Sequence, residues 1–316
     1  MRIKLMLAAL LASTMAGQAF AADSLKLAIG QRGNWDTAVA ELGQRGGIFK
    51  KHDLELDLLY TQGGGETLQA VISGSADIGV AAGTLGVLGA FSKGAPVRII
   101  GAQATGAADF WYVPASSKIQ SIKDAGPDTT IAYSTNGSST NSMALGFVQQ
   151  YGLKSKLVAT GSPSATFTPT MTGQVDIGWS SPPFGFDALD QGKIRIVARG
   201  NDVESIRNQS IRTLIGNAQF VDQHKDELDR FMAAYRETVD WMYSSDEALK
   251  IYADFAGTDE KTARRIRDEF FPKSLIDPDE MKGLDQIMAD AVTYKTLSQP
   301  LSDDQLKTLI QIPPRQ

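Results

Sequence analysis

The stretch SGSADIGVAAGTLG at residues 73–86 returns as TGQVDIGWSSPPFG at 172–185, an offset of 99 residues that keeps Gly74/Gly173, Asp77/Asp176, Ile78/Ile177, Gly79/Gly178 and Gly86/Gly185 in register. In each copy an amphipathic segment stops at a glycine, an acid opens a short run of strand-forming residues, and a turn rich in Gly, Ser, Thr or Pro leads into the next apolar helix. That order reads as helix, strand, loop, helix. Two α/β units of this kind predict two lobes that present equivalent loops across a shared cleft, because open parallel sheets hold ligands on the loops at their strand ends.

Outward from the repeat, apolar runs of strand length alternate with helical patterns. Strands are predicted at 25–29, 54–60, 77–80 and 97–102. Helices are predicted at 37–50, from GGGE at 63–66 to about 73, and at 84–91. The polar stretch 103–109 reads as a turn that leads to Phe110–Val113 and into a second βαβ series, with strands at 130–134, 156–160, 176–179 and 193–198. Strands alternating with helices imply right-handed crossovers and a mostly parallel sheet in each half. Residues 200–212 are expected to cross back. From Phe220 the pattern becomes wholly helical, broken by Pro272 and Pro278. The expected division is a first lobe of 22–105 plus 213–316, carrying the helical tail, and a second lobe of 106–212.

Residues 1–21 have a basic start (Arg2, Lys4), an apolar run from Leu5 to about Ala16 and the small-residue site Ala19, Phe20, Ala21. This is the layout of a secretory signal peptide, with cleavage expected after Ala21. The run is shorter than the roughly 18 apolar residues that a membrane span needs. Without Arg2 and Lys4 the chain carries 29 basic and 36 acidic residues, so 29 − 36 gives a net charge of −7. That balance argues against nucleic acid or anionic lipid as the main partner. The chain contains no cysteine, so neither disulfides, a thiol nucleophile nor a lipidated anchor is available. An exported, untethered protein points to the periplasm.

The segment ELGQRGGIFKKHDLELDLLYTQGGGETLQAVISGSADIGVA at 41–81 resembles the opening of the substrate-binding proteins of ABC importers, in the group of sulfonate, taurine, nitrate and thiamine-precursor binders. The shared features are a helix ending in a Gly-Phe-type turn, two basic residues, a short polar turn, a strand, a glycine-rich helix start and the G-x-x-D-I-G step. The resemblance implies the type II periplasmic binding fold: two hinged α/β lobes, each a mostly parallel sheet flanked by helices, with a helical C-terminal tail. It also implies delivery of a small molecule to a membrane permease.

Candidate ligand contacts follow from the loops expected at the cleft. In QRGNWD at 31–36, Arg32 offers a positive charge, Asn34 a helix cap or polar contact, and Trp35 a wall for the ligand. Gly64 and Gly65 expose backbone N–H groups at a helix start. Gly83 and Thr84 open one helix, Ser181 and Pro182 hold the equivalent place in the second copy, and Ser138, Ser139 and Thr140 open a third. Hydroxyls and bare amides at helix starts suit an oxyanion, although capping alone explains any one of them. Trp179 replaces the small Val80 at the matched strand end. The expected ligand is a sulfonate or carboxylate with an apolar or aromatic body, bound by a monomer without metal or cofactor.

An enzyme of the related thiamine-pyrimidine type would need a reactive histidine, and His52 and His224 both fall in polar surroundings. No hydrolase, zinc-protease or nucleotide-binding motif accompanies them. A ligand-sensing receptor would share the same hinge and remains the alternative to an importer component.

Overall fold

The computed structural model describes residues 22–315; the signal-peptide reading of 1–21 lies outside them. The first lobe is built from β1 (Asp23–Gly30), α1 (Val39–Arg45), α2 (Ile48–Lys51), β2 (Leu54–Thr61), α3 (Gly64–Ile72), β3 (Ile78–Gly83), α4 (Thr84–Ser92) and β4 (Val97–Thr105). The second comprises β5 (Phe110–Pro114), β6 (Thr130–Tyr133), α5 (Ser139–Tyr151), β7 (Lys156–Ala159), α6 (Pro163–Met171), β8 (Gly178–Ser180), α7 (Phe186–Asp190) and β9 (Ile194–Arg199). β10 (Ser210–Asn217) then returns to the first sheet, and α8 (Ala218–Gln223), α9 (Lys225–Ser244), α10 (Asp246–Ala256), α11 (Glu260–Arg265), α12 (Leu284–Thr293) and α13 (Asp303–Leu309) follow.

The first sheet runs β2-β1-β3-β10-β4, with β10 antiparallel to both neighbours. In the second lobe β6 and β7 are parallel, β8-β5-β9 are antiparallel, and a parallel bridge between Ile131 and Ile177 joins the two groups. The resulting order, β7-β6-β8-β5-β9, repeats that of the first lobe. In each sheet the antiparallel strand is the one that has just crossed from the other lobe.

The sequence repeat marks this shared architecture. The Asp77 carboxylate accepts the Lys26 N–H at 2.9 Å, and the Asp176 carboxylate accepts the Thr130 N–H at 2.8 Å, so each ties down the neighbouring parallel strand. Gly79 and Gly178 leave room for the preceding helix: a Cβ at Gly79 would meet Val71 at 2.9 Å, and one at Gly178 would meet Thr170 at 2.5 Å. Gly74 and Gly173 take left-handed φ values of 74° and 77°, which a β-carbon disfavours, just after the helices they terminate. The same offset reaches further back than the legible motif. The Thr61–Thr67 and Thr160–Thr166 hydroxyl pairs, at 2.9 and 2.6 Å, clasp the strand and helix before each copy.

Two expectations change. The helix predicted over 37–50 is broken between α1 and α2, because Gly47 adopts φ 72° and a side chain at Gly46 would strike the Trp241 ring. The strand predicted to stop at Ala102 continues to Thr105. Gln103, read as turn chemistry, is a fully buried strand residue whose amide accepts the Ala81 N–H and donates to the Asp36 carbonyl. The tail covers both faces of the first sheet: Phe231, Tyr235 and Tyr252 join Trp35 and Phe49 on one, and Ile287 and Leu309 join Leu88 and Ile99 on the other.

Candidate functional site

At the strand ends where the lobes meet, charge is concentrated on one buried arginine. Arg212 projects from β10 and donates from Nη1 to Asp36 Oδ2 at 2.6 Å, from Nη2 to both Asp109 oxygens at 2.7–2.8 Å, and from Nε to Ser139 Oγ at 3.0 Å. Both carboxylates are fully buried and the guanidinium nearly so. Burial opposes the charge on Arg212, but Asp109 and Asp36 outweigh it and hold its pKa above the ordinary value. Burial also pushes Asp109 up, against the pull of Arg212 and with Asp36 adding to the rise. Two carboxylates facing one guanidinium give the cluster a formal charge of −1, so Arg212 is already saturated by the protein.

The predicted site residues other than Arg32 separate into three groups. The first is packed within a lobe. Trp35 is fully buried, with its rings 4.7 Å from Tyr252 and 5.7 Å from Tyr243, and its Nε1 donates to the Tyr243 hydroxyl. Gly64 lies against the Ala81 carbonyl, and the Thr84 hydroxyl donates to the Ser210 carbonyl. Ser138 caps α5 through the Asn141 N–H, while Thr140 is shared between the Ser134 N–H and the Ser134 and Ser138 hydroxyls.

The second group joins lobe to lobe. The Gly65 N–H donates to Thr135 Oγ1 at 3.0 Å, Gly83 abuts the backbone at Gly137–Ser139, and the Ser139 hydroxyl oxygen accepts a hydrogen bond from Arg212 Nε–H. The third group keeps free polar capacity. Asn34 Oδ1, Trp179 Nε1 and Ser181 Oγ are buried without a hydrogen-bond partner among the described residues, as is Asp36 Oδ1. A buried polar atom left unpaired costs about 1–3 kcal/mol, so each of these atoms would gain from a water or ligand group within reach. Pro182 is buried beside Ser181, at a cis bond to Pro183.

The two lobes also line a groove of about 320 Å³, with Gln31, Arg32, Gly33, Tyr60, Thr61 and Gln62 on one side and Ser162, Pro163, Ser164 and Phe184 on the other. Arg32 is exposed and stacks over Phe255 at 4.3 Å, with Tyr60 at 6.0 Å. None of the ion pairs among the described residues uses it. Ser162 caps α6 through the Ala165 N–H, and its own N–H donates to Gln62 Oε1 across the groove.

Asp36, Gln103, Asp109 and Arg212 are absent from the sequence-based candidates. Arg212 had a legible signal, since SIRTLIGN is a buried strand pattern interrupted by one charge, and a charge there requires partners. The partners come from positions 36, 109 and 139, which nothing in the linear order brings together.

The family model described as NMT1/THI5 like matches residues 35–248. No curated protein matches the chain by sequence. Among solved structures, the alkanesulfonate-binding protein of Xanthomonas axonopodis pv. citri, bound to MOPS, superposes with a TM-score of 0.76 at 16% identity, covering 92% of this chain and 98% of that one. The aliphatic sulphonate-binding protein of Escherichia coli gives 0.69 at 18%, covering 93% of each chain. The nitrate-binding protein of Synechocystis PCC 6803 gives 0.68 at 13%, covering 91% and 86%. The matched family region spans more than half of the chain and contains both copies of the Asp-Ile-Gly step, and the chain therefore belongs to the NMT1/THI5-like family, with the two-lobed fold of the ABC-type periplasmic binding proteins.

Proposed function

We propose that this protein is the exported solute receptor of an ABC importer, which takes a small organic anion between its lobes by hinge closure and hands it to the membrane permease. The observation that carries the ligand class is Arg32. It is a cation with no carboxylate partner among the described residues, braced by aromatic rings, in a groove that both lobes line and that has the dimensions of a small organic molecule. Arg212 is neutralised by Asp36 and Asp109, so the attraction for an anion comes from Arg32, with the Ser162 and Ser164 hydroxyls opposite. Tyr60 and Phe184 suit an apolar body. A ligand touching both lobes stabilises the conformation in which they meet, and that difference in affinity drives closure.

The test is a thermal-shift and calorimetric panel of sulfonates, carboxylates, inorganic oxyanions and heterocycles, on protein refolded free of carried-over ligand. Amino-substituted sulfonates belong in it because Asn34 Oδ1, two residues from Arg32, is a buried acceptor without a partner. At 100 times its Kd a ligand adds about 2.7 kcal/mol of stability. Arg32→Ala should weaken the winning anion by about tenfold or more, equivalent to at least ~1.4 kcal/mol, with the unliganded melt unchanged. Stimulation of ATP hydrolysis by the reconstituted permease separates an importer component from a sensory receptor. A panel that shifts nothing, or a ligand that is turned over, sinks the reading.

A further inference from the structure

The loop that follows β1 is buried except at one residue. Across QRGNWD, residues 31–36, only Arg32 is exposed, and the residues on either side of it take left-handed backbone, φ 86° at Gln31 and 101° at Gly33. Glycine adopts that region freely; glutamine does so only where its surroundings over-determine it. Part of the hold is local, since the Thr37 hydroxyl donates to the Gln31 carbonyl at 3.0 Å. The rest comes from the tail, 208 and 219 residues along the chain. Tyr252 of α10 is fully buried and donates from its hydroxyl to the Gly33 carbonyl at 3.0 Å. Trp35 Nε1 donates at 3.0 Å to the hydroxyl of Tyr243, near the end of α9, and that hydroxyl donates in turn to the Phe271 carbonyl. Phe255, three residues beyond Tyr252 on the same side of α10, lies 4.3 Å from the Arg32 guanidinium.

The tail therefore supports both the backbone of this loop and the head of its one exposed side chain, through contacts that all lie within the first lobe and its tail. We propose that Tyr252 and Tyr243 are positioning residues for Arg32: their hydroxyls fix the strained turn from which it projects, so that the guanidinium meets an anion already in place. Pre-organisation of this kind adds affinity by removing the entropy that a mobile loop would lose on binding. Burial, with a smaller contribution from the Asp36 charge, holds the Tyr252 pKa well above its ordinary value, so its hydroxyl stays a donor at neutral pH. Tyr235 supplies the contrast. It belongs to the same core and is fully buried, yet its hydroxyl has no partner among the described residues. The consequence for binding rests on the reading of Arg32 given above; the positioning itself is tested without any bound anion.

The experiment is hydrogen exchange read by mass spectrometry, with calorimetric titration of benzenesulfonate beside it, on the full chain and its Tyr252→Phe, Tyr243→Phe, Tyr235→Phe and Arg32→Ala variants. Each change to phenylalanine keeps the ring and removes one hydroxyl. Tyr252→Phe and Tyr243→Phe should speed exchange in the peptide covering 30–38 severalfold, up to about tenfold for one lost hydrogen bond, while peptides of β3 and α5 exchange as in the wild type. Tyr235→Phe should leave all of them unchanged. In the titration Tyr252→Phe should weaken benzenesulfonate by about threefold or more and Tyr235→Phe should not; a tyrosine that only supported the fold would lower the melt and leave the affinity of the folded protein as it was. Exchange at 30–38 that does not change, or that rises equally along the whole chain, would overturn the proposal, as would faster exchange with benzenesulfonate affinity intact. Benzenesulfonate that binds Arg32→Ala as well as the wild type would count against the reading of Arg32 and not against the positioning, which the exchange comparison decides alone.

Discussion

The two copies of the Asp-Ile-Gly step share a strand and diverge at its end. In the first lobe Val80-Ala-Ala-Gly-Thr-Leu-Gly86 leads without delay into α4, and its bare glycines press against Gly137–Ser139. In the second, Trp179-Ser-Ser-Pro-Pro-Phe-Gly185 adds bulk before α7 begins at Phe186: it buries an indole, leaves Ser181 unpartnered and sets Phe184 on the groove wall. The scaffold is held constant by one carboxylate and two glycines in each copy, while the turn is stripped where lobes must touch and filled where a pocket is lined.

The largest effects test what the unequal ends contribute. Arg212→Ala leaves two fully buried carboxylates without their cation and should cost about 3–5 kcal/mol in chemical denaturation. Trp179→Ala should cost a similar ~3–5 kcal/mol, because the ring lies fully inside the second-lobe core. A cost below ~1 kcal/mol would instead make the ring a cleft wall whose loss the fold barely registers. Trp179→Phe isolates the indole N–H: the unliganded melt should hold, since that donor has no partner to lose, while the affinity of the panel's best ligand falls.

Next come the shared parts. Asp77→Ala and Asp176→Ala should each destabilise by about 1 kcal/mol, the value of one or two strand-end hydrogen bonds. Asp176 also bonds the Thr130 hydroxyl, so its loss should be the greater of the two. Equal costs would show that this extra bond adds nothing.

The smallest effect concerns the tail, which only the first lobe carries. Burial pushes the Asp279 pKa up, but hydrogen bonds from Arg315 and Arg236 outweigh it and hold the carboxyl below its ordinary value. A depressed folded-state value means that the stabilisation is present above the unfolded pKa, about 3.9, and is lost as pH falls through the folded value. Asp279→Asn should therefore melt lower than wild type at pH 7, with the difference closing at acid pH. A difference constant with pH would remove the charge from the account.

Much of the fold is local and was legible for that reason. Glycine at a helix end, an acid at a strand start and the alternation of apolar periods are written within a dozen residues, and the 99-residue offset betrays the duplication. The resemblance of 41–81 supplied the family. The site was legible only in part. Asn34 and Ser181 each keep a buried atom without a partner among the described residues, whereas the Ser138–Thr140 hydroxyls, equally suited to a ligand by composition, are satisfied by protein partners.

The sequence by itself determined the two α/β halves and their order along the chain, because helix, strand and turn preferences act over a few neighbouring residues; it did not pair the loops, for Gly83 and Gly86 meet Gly137–Ser139 while Phe184 meets Gly33. Only the tertiary structure decided which polar groups are already spoken for. Hydrogen bonds and ion pairs act over about 3 Å, and residues 36, 109, 139 and 212 come that close only after both sheets have folded and the chain has crossed between them twice.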